Sequence, residues 1–223
     1  MNRKYLLKCL DILEEQKEKR VALSENAQTF YHSEHVEYCN AGIELIEDVL
    51  MKEAIEFATK AHAGQKRKYS DDDYIVHPIA VMKIVETVPH TFRMLLAALF
   101  HDVAEDTKVT LKDIEEEWDK EVADLVEMLT DNSKPSDGNR KERKTIDLNH
   151  TAKASPEGKT IKLADLIHNT GSIVAHDKDF AKVYLKEKEK LLAVLTEGDK
   201  TLYDKAFKIL QNSQLVLMRE SLK

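Results

Sequence analysis

The chain has 223 residues, 42% of them hydrophobic and 34% charged, with six glycines, four prolines and a formal net charge of −7. That length supports one sizeable domain with a full core, and so few glycines and prolines suit a compact helical protein with long solvated faces. The acidic balance disfavours a nucleic-acid polymer, which needs a broad basic surface; Cys9 and Cys39 support neither a disulfide framework nor a zinc cluster; and no apolar run amounts to a signal peptide or membrane span.

Reduced thiols and the lack of a targeting segment predict a cytoplasmic protein without membrane contact. Lys4 to Val21 reads as a charged helix with Leu6, Leu7, Leu10 and Leu13 on one side, which serves packing or contact with a partner, a second copy of the chain included. Residues 1–47 are expected to form a helical appendage and residues 48–223 the main domain. His32 and His35 lie three apart beside Glu34 and Glu37, a pattern that suits surface or packing better than a second metal site. Met51 to Ala63 is the next helix. It leads into Lys66, Arg67 and Lys68 and an acidic loop, with strand character at Tyr74 to Val76 and room for a short β-hairpin near residues 68–76.

Tyr74-Ile75-Val76-His77-Pro78 precedes the amphipathic stretch Ile79 to Val88, and proline favours the first position of a helix, so His77 should project from a helix start. Leu95 to Phe100 is apolar almost throughout and runs into His101, Asp102, Glu105 and Asp106. At about 3.6 residues per turn, His101 and Glu105 share one face of a continuous helix and Asp102 and Asp106 the next. Thr110-Leu111-Lys112-Asp113 is a capping-box pattern opening an amphipathic stretch to Leu129, in which Trp118 belongs to the core. Residues 131–138 form a loop. Arg140-Lys141-Glu142-Arg143-Lys144 then opens a helix that presents either a solvated basic face or a grip on phosphates. Thr160 to Asn169 places Asp165 and Asn169 four apart in an apolar helix, and Phe180 to Leu195 and Leu202 to Leu217 close the chain.

Carboxylates entering from apolar helices are costly to bury unless a cation compensates them. His77, His101, Asp102 and Asp165 together form a set of two imidazoles and two carboxylates that suits Mn²⁺, Fe²⁺ or Zn²⁺ and leaves coordination positions open. A divalent cation lowers the pKa of water from 15.7 toward roughly 7 to 9, which makes a nucleophile available near neutral pH. Glu105 and Asp106, one turn beyond the ligands, are the candidate acid and base.

His77-Pro78, His101-Asp102, Glu105-Asp106-Thr107 and Lys162-Leu163-Ala164-Asp165 with Asn169, in this order, resemble the hydrolase half of the RelA/SpoT alarmone enzymes and their single-domain metazoan relatives, within the HD superfamily. The basic segment from Ala61 to Lys68 is similar too. The resemblance implies an all-α HD-domain helical bundle, a Mn²⁺ ion, and hydrolysis of the 3′-diphosphate of (p)ppGpp to GDP or GTP and pyrophosphate. It further implies that Lys66, Arg67 and Lys68, with Lys141, Arg143 and Lys144, offset substrate charge, that Arg67 stacks on the purine, and that Asn169 serves the ribose or Asp165. His62 and His168 are expected to pack or to support ligands. The chain departs from the family at Tyr69 to Asp73, which lacks the usual Gly and Pro, and at Thr170-Gly171, where the family often has Met-Arg. Those departures keep other nucleotides open as substrates, such as ppApp or the 2′-phosphate of NADPH, beside a non-catalytic nucleotide-binding module as the contrasting class.

Overall fold

A computed structural model of the chain describes residues 2–24 and 31–221, with the side chains of 23, 24, 31–33 and 221 outside that description; His32 therefore falls outside the described side chains. The described residues are overwhelmingly helical and hold no strand, so the all-α expectation holds. In chain order the helices are α1 (Arg3–Ser24), α2 (Tyr31–Ala61), α3 (Val76–Val85), α4 (Phe92–Phe100), α5 (Val103–Asp106), α6 (Leu111–Glu117), α7 (Lys120–Leu129), α8 (Arg140–Thr151), α9 (Pro156–His176), α10 (Lys178–Val194) and α11 (Lys200–Ser221). A 3₁₀ turn at Pro135–Asp137 lies within the expected 131–138 loop. Among the described residues no helix is long and apolar enough to cross a membrane.

The core is organised around α4 and α9. Met94 to Phe100 are all buried, as their unbroken apolar sequence requires, and α4 packs on α2, α3, α7 and α9. Helix α9 buries Ile161, Leu163, Ala164, Leu166 and Ile167 and is itself packed by α3, α7, α10 and α11. Helices α3, α4 and α9 therefore touch one another pairwise; α3 and α9 each carry one of the predicted metal ligands, and α4 leads directly into the other two. The first helix is not detached from this core: Leu7 and Leu10 are buried, Arg3 pairs with Glu53 and lies over the Trp118 ring at 4.9 Å, and Arg93 binds both Asp11 and Asp119. Trp118 is fully buried against Phe57 and Phe100, with ring centroids 6.0 and 5.1 Å away.

Local chemistry set several boundaries differently from the periodicity. The helix expected from Met51 is the last third of one 31-residue helix, α2. Gly64, at φ +80°, then turns the chain into the basic segment, a left-handed conformation that costs glycine little. The stretch 110–129 divides at Asp119: its side chain accepts from the backbone N–H of Val122 at 2.8 Å and binds Arg93, so it caps a new helix instead of continuing the old one. The capping box at Thr110 and Asp113 is formed. The β-hairpin near 68–76 is reduced to one antiparallel bridge between Lys66 and Asp73, since three successive aspartates at 71–73 favour turn over strand.

Candidate metal centre

The chain does not run as one helix through His101 and Asp102. Helix α4 ends at Phe100, His101 is its C-cap, and Asp102 at φ −96° and ψ −7° begins the short α5. This break turns the imidazole and the carboxylate toward the same point instead of leaving them roughly 100° apart on a helix surface. His77 comes from the first turn of α3, which begins at Val76, two residues before the proline expected to open it. Asp165 comes from the middle of α9.

The four groups converge. His77 Nε2 lies 3.4 Å from Asp102 Oδ2 and 3.3 Å from Asp165 Oδ1, and His101 Nε2 lies 3.0 and 3.9 Å from the same two oxygens. Both imidazoles are essentially buried, at 1% and 2% exposure. His101 Nδ1 donates to the carbonyl of Ala98 at 2.8 Å, while its buried Nε2 makes no aligned hydrogen bond to the carboxylate beside it. An orphaned ring nitrogen aimed among two carboxylates and a second imidazole fits a cation, and His77, His101 and Asp102 alone already bring three donor atoms within 4.8 Å of one another. His77 Nδ1 lies 2.7 Å from His168 Nδ1; with the proton on His77, its Nε2 is left bare toward the carboxylates.

The electrostatics are those of buried ion pairs between imidazole and carboxylate. Burial opposes charging of His101, but Asp102 and Asp165 outweigh it and push its pKa up to about 9. The same ion pairing overrides burial at Asp102 and Asp165 and holds both carboxyls well below the usual range. At Glu105, burial and the charge of Asp131 raise the pKa to about 7, and burial and Asp102 raise that of Asp106. Burial and the neighbouring His77 and Arg67 lower His168 to about 4, which keeps it neutral beside the ligand.

Glu105 Oε2 accepts the backbone N–H of Asp131 at 3.1 Å. Tyr74 donates its hydroxyl to Asp102 at 2.7 Å and reaches Asp106 at 3.3 Å, bridging the ligand and the second acid. His62 and Gln65 brace this side: the Gln65 Oε1 accepts from His62 Nδ1 at 2.8 Å and its amide nitrogen donates to the Asp106 carbonyl at 2.7 Å, while the His62 ring lies 4.8 Å from that of Tyr74. Asn169 donates to Asp165 at 2.6 Å and accepts from Arg67 at 2.8 Å, so Arg67 reaches the ligand shell through one amide and lies over Tyr74 at 5.6 Å. Lys66 instead pairs with Asp73 within its own loop, and Lys68 pairs with Asp177 and Tyr69. On α8, Lys144 binds Asp131 and Asp147, and it lines a cavity with Lys141, whereas the Arg143 Nε is buried without a hydrogen-bond partner.

Sequence reasoning missed Tyr74, Lys162 and Asp131. The Lys162 amine donates to the Leu129 carbonyl at 3.1 Å and lies 3.9 Å from Asp165; burial disfavours its charge, but Asp165 and Asp131 raise its pKa. Lys162 opens one of the motifs that carried the resemblance and Tyr74 stands just before another, three residues from a candidate ligand in each case.

Comparisons with known proteins agree with this geometry. The chain is 40% identical to a probable GTP pyrophosphokinase of Mycobacterium leprae over 121 residues, 54% of this chain but 15% of that protein. It is 36% and 38% identical to the guanosine-3′,5′-bis(diphosphate) 3′-pyrophosphohydrolases MESH1 of Xenopus tropicalis and Homo sapiens, over 54% and 52% of this chain and 67% and 65% of theirs. The chain thus spans a small part of the large relative and about two thirds of the small ones. Among solved structures, that of a metazoan SpoT orthologue described as hydrolysing ppGpp superposes with a TM-score of 0.66 at 29% identity, covering 72% of this chain and 93% of that one. A Listeria monocytogenes protein, at 22% identity and a TM-score of 0.54 over 65% of this chain and 99% of that one, shares the fold. The HD domain pattern itself matches residues 54–197, well over half of the sequence and all of the helices that bring His77, His101, Asp102 and Asp165 together, and the chain belongs to the HD domain family.

Proposed function

We propose that the protein is a metal-dependent 3′-pyrophosphohydrolase of guanosine-3′,5′-bis(diphosphate)-type alarmones, with Mn²⁺ as its ion and Fe²⁺ or Zn²⁺ as alternatives. The observation that carries this reading is the buried convergence of His77, His101, Asp102 and Asp165, with Glu105 and Asp106 beside it and relatives named for that activity. A divalent cation held by those four residues supplies, when bound, the acidity that lets water act as a nucleophile near neutral pH.

The chain's own residues do the rest. Glu105, whose pKa of about 7 suits proton exchange at neutral pH, accepts a proton from the attacking water. As the new P–O bond forms at the ribose-linked phosphorus, the P–O3′ bond breaks, and the 3′ oxygen leaves with a proton delivered by Asp106, whose carboxyl is made less acidic than usual by burial and Asp102. Tyr74 holds Asp102 and Asp106 in fixed relation. Arg67 offers its guanidinium face to the base while Asn169 ties it to Asp165. Lys141, Lys144 and Lys162 offset charge on the diphosphate, and Lys66, Lys68 and Arg143 add to the cationic field around it. The substrate is thus a small-molecule nucleotide, and the setting a cytoplasm.

The test is a panel of ppGpp, pppGpp, ppApp, NADPH and simple nucleotides incubated with the Mn²⁺-loaded protein and resolved by chromatography. Turnover of ppGpp or pppGpp is expected. Turnover of NADPH or ppApp alone would move the activity to another nucleotide, and turnover of none would leave a binding module.

A further inference from the structure

Helices α1 and α2 form an antiparallel hairpin, nearly all of which precedes residue 54, where the HD domain pattern begins. Arg3 pairs with Glu53, and a Cβ on Gly42 would come 3.1 Å from Leu13, so the start of α1 lies level with residue 53 and its middle with residue 42. One side of the hairpin packs on the core through Leu7, Leu10, Leu50 and Ala54, all buried. Tyr5 and Ile12 stand two positions from Leu7 and Leu10, roughly 200° around the helix, and are 65% and 53% exposed. On α2, Tyr38 and Leu45 are 74% and 67% exposed. Each of these pairs is seven residues apart, so each makes an apolar stripe along its helix. In the register of the hairpin, Leu45 is level with the gap between Tyr5 and Ile12.

The charges beside the two stripes are opposite in sign. Lys8 stands three residues after Tyr5 and four before Ile12, Glu34 four before Tyr38, and Asp48 three after Leu45, the spacings that put side chains on one face. Among the described residues none of these three charges is in an ion pair, although Lys8 and Asp48 are level with each other in the hairpin. The asymmetry extends along both helices: α1 has six basic and four acidic residues, and residues 31–53 have one basic and six acidic. A two-fold axis running along the helices lays α1 of one copy over α2 of another at the same level. It brings Lys8 of each copy to Asp48 of the other, and Leu45 of each into the gap between Tyr5 and Ile12 of the other. A face two helices wide, roughly 20 Å, along the 22 residues of α1, roughly 33 Å, buries on the order of 1,300 Å² over both copies, the scale of a stable interface. We propose that the outer face of the α1–α2 hairpin is a dimerisation surface whose partner is a second copy of this chain, packed with α1 against α2. This pairing goes beyond the alarmone reading and requires neither substrate nor metal.

Sedimentation velocity of the full chain over a hundredfold range of concentration tests this, with the folding of each variant checked by circular dichroism. A monomer–dimer equilibrium that moves with concentration is expected. Leu45→Asp should weaken it by roughly a hundredfold or more, since two carboxylates then enter the apolar centre of the interface. Leu215→Asp, at a 50% exposed position on α11, should leave it unchanged. Lys8→Glu and Asp48→Lys should each weaken pairing by roughly tenfold, because each sets like charges opposite one another at two symmetric places. The swap Lys8→Glu/Asp48→Lys should bring the affinity back to within about threefold of wild type, which loss of helix structure in either single variant could not do. A chain that is monomeric at every concentration, a dimer indifferent to Leu45→Asp or weakened equally by Leu215→Asp, or charge reversals that have no effect or are not rescued by the swap, overturns the proposal.

Discussion

Stripping the metal should make stability depend on pH through His101. Its ring is 2% exposed and its pKa rises from an ordinary 6.5 to about 9 in the folded, metal-free chain. A group whose folded pKa is raised gives stability that is fully present below its unfolded value and is lost as pH climbs through the folded one. The contribution should therefore be complete below about pH 6.5 and disappear by about pH 9, and a shift of that size corresponds to on the order of 3 kcal/mol. For a chain of this length that is a fall of roughly 6 to 12 °C in Tm. Calorimetry of the chelated protein between pH 6 and 10 measures it, with His101→Gln as the reference that removes the titrating group while retaining much of its volume. With Mn²⁺ added, the trend should flatten or reverse, because metal and protons compete for the same nitrogens. A Tm that is level over this range in the wild type, or that falls as steeply in His101→Gln, would refute the ion-pair account of the empty centre.

The other expectations separate holding the ion from using it. Glu105→Gln and Asp106→Asn should each retain near-stoichiometric metal by elemental analysis while losing roughly 10²-fold or more in kcat. His168→Ala should weaken metal affinity by roughly 10- to 100-fold, since it removes the partner that orients His77, and His168→Asn should recover part of the loss; a metal titration reads both. Arg67→Ala should raise KM more than it lowers kcat, with a loss of about 1 to 2 kcal/mol in kcat/KM, because base stacking persists from ground state to transition state.

The residues of the proposed metal centre were legible in the sequence because buried apolar helices seldom carry acids and imidazoles, so Asp165 within Ile161 to Ile167 and His101-Asp102 after Phe100 stand out by cost alone. Their meeting point was not legible from period, which carries an unbroken helix through residue 101. The structure places a cap there, and the break aims both side chains at one point. Likewise, the amphipathic pattern from Thr110 to Leu129 does not register that Asp119 caps a second helix, a choice fixed by Arg93 from α4. The pairing of His77 with His168, 91 positions apart, and the cavity between α8 and α10 arise only when separate helices pack.

The central claim is tested most directly by the products of a single turnover in ¹⁸O-labelled water. The Mn²⁺-loaded protein is mixed with ppGpp, quenched within one turnover, and the guanosine product and phosphates are weighed by mass spectrometry. Attack at the 3′-linked phosphorus predicts unlabelled GDP and intact pyrophosphate carrying one ¹⁸O, with the signal abolished in His101→Ala and Asp102→Ala as the metal is lost. Labelled orthophosphate as the first product, label in the GDP, or undiminished turnover in those two variants would contradict it.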